Sequence, residues 1–235
     1  VSSFSCFAML IVNILLYKEV KSPATDIVES FGKKIENLFV VLANFKFMIF
    51  LLIYSLYWII FWQEFIIVPY YITDYINASA PYEIIQSWSG AGAIILLQIP
   101  LNRLTKNIPT SKAILYGFAF SSLIWIIIGI YPSIPTIAAG IVAFAIGEMI
   151  QAPRYYEYIS DIAPAGQQGL FQGYAFLPIA IARFVGDPLG GWLYQSSKAA
   201  GKPEMVWFAL IGIGVLGTIL MWLYNKFLAV KEVAK

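Results

Sequence analysis

Histidine is absent from the chain, and cysteine occurs once, at Cys6. The first absence removes the usual neutral-pH acid–base group and metal ligand, and the second rules out a disulfide framework or a thiolate cluster for a metal. Charge is scarce as well. Acidic and basic residues make up 12% of 235 residues and balance to a net +2, so there is no basic surface to hold nucleic acid. No segment has the composition of a soluble domain. Two glycine motifs mislead: Gly212, Gly214 and Gly217 have dinucleotide-fingerprint spacing but sit inside an apolar run with no strand before them, and Gly201-Lys202 runs into Pro203. The first reads as close helix packing and the second fails as a phosphate loop, so no cofactor is expected. Nor do the residues make an enzyme. Nucleophile motifs are missing, and Asp74 and Asp187, conceivable as an intramembrane protease pair, fall at different depths.

What the chain has is apolar length. Hydrophobic residues are 60% of the total, which marks a protein whose main partner is the lipid bilayer. A helix crossing the hydrocarbon layer needs about 20 mostly apolar residues. Runs of that kind lie near 47–75, 81–104, 112–131, 134–153, 168–195 and 205–226, with a shorter one at 4–17. The chain starts at Val1 and becomes apolar almost at once, without a basic leader, so residues 1–17 read as the end of a truncated spanning helix and the chain as a fragment. Residues 18–46 read as a cytoplasmic linker and 47–235 as a six-helix transmembrane bundle.

Lys and Arg concentrate in cytoplasmic loops. Lys18, Lys21, Lys33, Lys34 and Lys46 precede the first long run, Arg103, Lys106 and Lys112 follow the second, Arg154 follows the fourth, and Lys226, Lys231 and Lys235 close the chain. Alternate loops carry only Lys198 and Lys202. This predicts a cytoplasmic C-terminus and an outward-facing sequon at Asn77-Ala78-Ser79. Within 18–46, Ile27, Phe31, Ile35, Leu38 and Leu42 recur at helical spacing, and Ser22-Pro23 and Thr25-Asp26 supply start signals, so an amphipathic helix is expected; a solvated linker is the alternative.

An ionisable group in the hydrocarbon layer faces a polar cavity or a partner, because leaving it in lipid costs about 2.5–3.5 kcal/mol or more. Four stand out: Glu64 in the first run, Glu148 in the inner half of the fourth, and Arg183 and Asp187 in the fifth. Arg183 and Asp187 are four residues apart, on one helical face, and either serve a site or neutralise each other. Gln63 adjoins Glu64. Runs 112–131 and 205–226 hold no charge inside the apolar stretch, Lys112 and Lys226 standing at their ends, and can face lipid. Tyr54, Tyr57, Trp58, Tyr70 and Tyr71 read as packing or interfacial anchors. Pro69, Pro100, Pro178 and Pro188 predict broken or kinked helices.

Six spans after a basic cytoplasmic loop, with charge on the first two helices of each group of three, resemble the C-terminal half of a major facilitator superfamily transporter. Asn102-Arg103-Leu104-Thr105-Lys106 is a degraded form of that superfamily's basic loop motif. The block Gly147-Glu148-Met149, Ala152-Pro153, Tyr158-Ile159-Ser160, Ala163-Pro164 and Gly173 is similar to the tenth-helix region of proton-dependent oligopeptide transporters. That resemblance implies a twelve-helix fold whose N-terminal six-helix half lies upstream. It also implies alternating access in the plasma (inner) membrane, a small-molecule substrate such as a peptide, and coupling to the proton. Glu148 would then recognise the substrate's amino terminus, and Glu64 would join in proton coupling. The rival reading is a seven-helix receptor, obtained by counting 4–17 as a full span; a non-transporting scaffold is a third.

Overall fold

A chain that cannot pair its backbone with water must pair it internally, and in a long apolar run the helix is the local way to do so. The computed structural model describes residues 2–16 and 30–229, and among these it is all α-helical. It separates into two compact units, Val1–Asn37 and Leu38–Lys235. Helix α1 (Ser2–Leu16) belongs to the first, and α2 (Phe31–Ala43) runs across the boundary. A helix, α2, lies in the stretch expected to be amphipathic; of the residues expected on its apolar face Ile35, Leu38 and Leu42 are exposed, while Val41 is buried. Ile27 and the two start signals lie outside the described residues.

Among the described residues, six helices are long and apolar enough to cross a membrane: α3 (Phe45–Ile76), α4 (Tyr82–Thr105), α5 (Thr110–Ile130), α6 (Ile134–Ile162), α7 (Gln168–Ala199) and α8 (Met205–Phe227). Their ends are set by ordinary capping chemistry. The Asn44 side chain accepts a hydrogen bond from the Phe47 N–H (3.1 Å), and at α6 Ser133 and Thr136 form a reciprocal capping box ahead of Pro135. Arg154 donates to the Thr105 and Lys106 carbonyls (3.4 and 3.3 Å), supplying partners that the last turn of α4 lacks.

The fourth span is longer than its apolar run. Residues 154–162, expected as part of a connection, continue α6 because Tyr155, Tyr158 and Ile159 stay on the buried face while Arg154 and Glu157 pair outward at 2.7 Å. Glu148, expected in the inner half, thereby lies at the midpoint of the helix. Helix irregularity is also more specific than a set of kinks. Three π-helical segments, Ile72–Ile76, Ser87–Ala91 and Ala182–Gly186, fall in α3, α4 and α7. Pro69 precedes the first and Pro188 follows the third, whereas α4 continues through Pro100.

Small residues decide which helices meet. A Cβ on Gly117 would lie 2.6 Å from the Gly147 carbonyl oxygen, so α5 and α6 cross almost backbone to backbone. Gly214 and Gly217 pack on Ser122 and Phe118, confirming helix packing for two glycines of the false fingerprint; Gly212 faces open space. Helix α5, whose one charge is Lys112 in its first turn, does present an exposed apolar stripe, including Tyr116, Phe120, Leu123 and Ile127, yet with 56% of its apolar stretch buried it is the most enclosed of the six. Its other face carries Gly117, Ser121 and Ser122 against α6 and α8. Least buried are α4 (11%) and α7 (28%).

Candidate functional site

Glu64 and Glu148, on different helices and far apart in sequence, line one cleft of ≈160 Å³. Helix α3 supplies Phe61, Glu64 and Phe65, α6 supplies Ile141, Phe144, Ala145 and Glu148, and α4 closes the side with Gln86, Gly90, Ala91 and Ile94. Glu64 is only 3% exposed and Glu148 is half-buried. No basic side chain is among the lining residues. The cleft depends on small groups in the π-helical turn of α4: a Cβ on Gly90 would already lie 3.5 Å from Ile141 on α6 and 3.1 Å from the Gln86 amide nitrogen. On α3, the Tyr82 hydroxyl donates to the Glu64 carbonyl oxygen at 2.7 Å, fastening the first turn of α4 to the backbone beside the carboxyl. Gln86, one turn after Tyr82, lines the same cleft as that carboxyl.

The remaining residues expected at a site are elsewhere, between α3 and α7. Gln63 is fully buried and donates to the Ile59 and Gly186 carbonyls (3.2 and 3.1 Å), the second of these within the π-helical turn of α7. Gly190 leaves room for its amide. Arg183 and Asp187 form the expected intrahelical pair, Nε to Oδ2 at 3.2 Å, and the guanidinium also stacks on the Trp62 ring at 4.5 Å. The Arg183 side chain is 47% exposed. Of five expected residues, two share the cleft, Gln63 and Arg183 join α3 to α7, and Asp187 pairs with Arg183 within α7.

In the sequence Gln86 is a polar residue near one end of the 81–104 run. The signal that it borders a close approach is the run Ser87-Trp88-Ser89-Gly90-Ala91-Gly92-Ala93, small at six of seven positions. A polar group also joins the C-terminal ends of α3 and α7, where Lys198 and Tyr194 both donate to Asp74 Oδ2 (2.6 and 2.9 Å). No local pattern announces that pairing. Of the tyrosines expected to pack, Tyr54, Tyr57 and Tyr71 are buried and Tyr70 is exposed; Tyr54 stacks on Tyr155 at 4.1 Å. Among the described residues no group of three His, Cys, Asp or Glu side chains is placed to hold a metal ion.

Comparison with known proteins gives relatives without a close one. No family model matches, and no solved structure does. The chain is 26% identical over 188 residues to the multidrug resistance protein MdtH of Klebsiella pneumoniae, covering 80% of this chain and 46% of that protein. Identity to the protein of the same name in Yersinia enterocolitica is 23% over 193 residues (81% and 48%), and in Yersinia pestis 24% over 196 residues (81% and 48%). The chain thus spans about half the length of the curated relatives it matches. Their names refer to multidrug resistance and give no support to the oligopeptide-transporter resemblance. The chain is an all-α, integral multi-pass membrane protein, similar over four-fifths of its length to multidrug resistance proteins.

Proposed function

We propose that this chain is the six-helix C-terminal half of a secondary transporter of the major facilitator kind, and that the cleft between Glu64 and Glu148 takes part in exchanging a small organic solute for protons. One observation carries the reading: two carboxylates from separate helices share a small cleft whose lining includes no basic side chain. Such a pair is stable inside a membrane only when a proton or an external cation offsets its charge. A solute that brings positive charge into the cleft therefore displaces a proton, and the two fluxes are coupled. The three Phe rings on the cleft wall, Phe61, Phe65 and Phe144, suit an apolar body attached to that charge. The multidrug resistance for which the relatives are named favours an organic solute.

Gln63 and Arg183, the latter oriented by Asp187, act in this scheme by holding α7 to α3 while the two move. Alternating access needs an upstream six-helix half, and the weakly buried faces of α4 and α7 are where it would pack. Loop charge favours a cytoplasmic C-terminus in a plasma (inner) membrane. A peptide is the second candidate substrate, favoured by the place of Glu148 on the cleft wall, where an amino terminus would meet it.

The test uses the full-length protein in proteoliposomes under an imposed pH gradient, with ethidium and a dipeptide as alternative probes. Glu148→Gln is expected to abolish proton-driven flux of whichever probe is carried. Undiminished flux in that variant removes the cleft from the mechanism. No flux of either probe, together with ligand-dependent binding of a cytoplasmic protein, would favour a seven-helix receptor.

A further inference from the structure

Glu64 is the most deeply buried carboxyl in the described chain, and its surroundings hold very little that can bond to it. Apart from the two glutamates themselves, Gln86 is the only lining residue with a hydrogen-bonding side chain. Its placement has a structural cause. Gln86 ends the first turn of α4, immediately before the π-helical turn, and the missing side chain of Gly90 leaves the space over which the amide folds; a Cβ there would be 3.1 Å from Nε2. One turn earlier on the same face, Tyr82 donates to the Glu64 carbonyl oxygen. Residue 82 therefore holds the backbone of Glu64, and residue 86, one turn on, shares the cleft with its carboxyl.

The chemistry of an amide gives this arrangement a use. A primary amide donates through nitrogen and accepts through oxygen, so it can bond to an ionised carboxylate in one orientation and to a protonated carboxyl in the other. A fixed donor such as lysine serves only the ionised form. We propose that Gln86 is a positioning residue that holds the Glu64 carboxyl toward the cleft in both protonation states, so that gain or loss of the proton is passed to α4 as reorientation of one side chain. This rests on the cleft being the proton and solute site, and it adds a division of labour. Glu64, whose backbone is held by α4, is the enclosed carboxyl, while the half-buried Glu148 is the carboxyl open to an incoming solute.

Infrared difference spectroscopy on the full-length protein in lipid nanodiscs, titrated with pH, tests the assignment without any substrate. The C=O stretch of the protonated Glu64 carboxyl is identified by its loss in Glu64→Gln. Gln86→Met keeps the side-chain length and removes the amide; the band is expected to move to higher frequency, as for a carboxyl that has lost a hydrogen-bond partner. Gln86→Asn retains an amide one methylene short and should give a smaller shift. Gln98→Met, on the same helix but bonded to Asn102, serves as the control and should leave the band in place. An unshifted band in Gln86→Met overturns the proposal, as does an equal shift in the control, or the absence of a Glu64 band at every pH. Failure of the transport reading is separate, because it shows as proton-driven flux that survives Glu148→Gln with Gln86 intact.

Discussion

Gly147 precedes Glu148 on α6, and what a methyl group would do there can be worked out from the crossing with α5. An added Cβ would collide with Ser121 Oγ and lie 2.7 Å from the Gly117 carbonyl oxygen and 2.8 Å from the Ser121 backbone nitrogen. The hydroxyl can rotate away, but the two backbone atoms cannot, so the helices must part by roughly 0.5–1 Å to restore ordinary contact distances. Overpacking of this kind costs about 1–3 kcal/mol, against which alanine gains about 1 kcal/mol in helix propensity. Gly212 isolates the second term, since it lies within α8 with nothing within 4 Å of its added Cβ. Gly147→Ala is therefore expected to be less stable than Gly212→Ala by about 1–3 kcal/mol, the propensity gain being common to both. Reversible unfolding of the full-length protein in mixed micelles measures the difference. Transport should fall in the same variant, because a shift of α6 carries Glu148 with it. Equal stability of the two variants would refute the claim that the α5–α6 crossing is set by contact between backbones.

Arg183→Lys retains charge but loses both the flat stacking on Trp62 and the second donor to Asp187. A loss of about 0.5–1 kcal/mol is expected at this half-exposed position, with a change in Trp62 emission that Asp187→Asn does not reproduce. The Asp74–Lys198 contact is short but exposed, so a double-mutant cycle with Asp74→Asn and Lys198→Met should yield a small coupling that high salt reduces further. A coupling indifferent to salt would show that the pair is shielded from solvent in the assembled protein.

Much of the fold is legible in the chain, because a membrane span is a statement about composition over a fixed length. The six apolar runs became six long helices, and the spacing of Arg183 and Asp187 was enough to pair them. Errors arose where charge was taken to end a span. At residues 154–162, Arg154 and Glu157 suggested a loop, although Tyr155, Tyr158 and Ile159 kept helical period, so the hydropathy reading masked a helix that continues into polar surroundings. The cleft was legible only in its parts. Nothing in one sequence places Glu64 opposite Glu148, since that depends on where α3, α4 and α6 meet, which in turn depends on glycines whose packing is visible only in three dimensions.

The order Trp62-Gln63-Glu64 shows why these parts resist assembly from periodicity. Successive residues on a helix point about 100° apart, so three neighbours cannot share a face. Trp62 lies under the Arg183 guanidinium, Gln63 reaches the π-helical turn of α7, and Glu64 enters the cleft against α4 and α6. Treating the polar residues of α3 as one wet stripe would have placed Gln63 in the cleft, where it is not. Because neighbouring residues grip opposite partners, a small rotation of α3 about its axis loosens the contact with α7 and the wall of the cleft together. Helix α3 thus links the two groups of polar side chains mechanically, and it does so over a single turn.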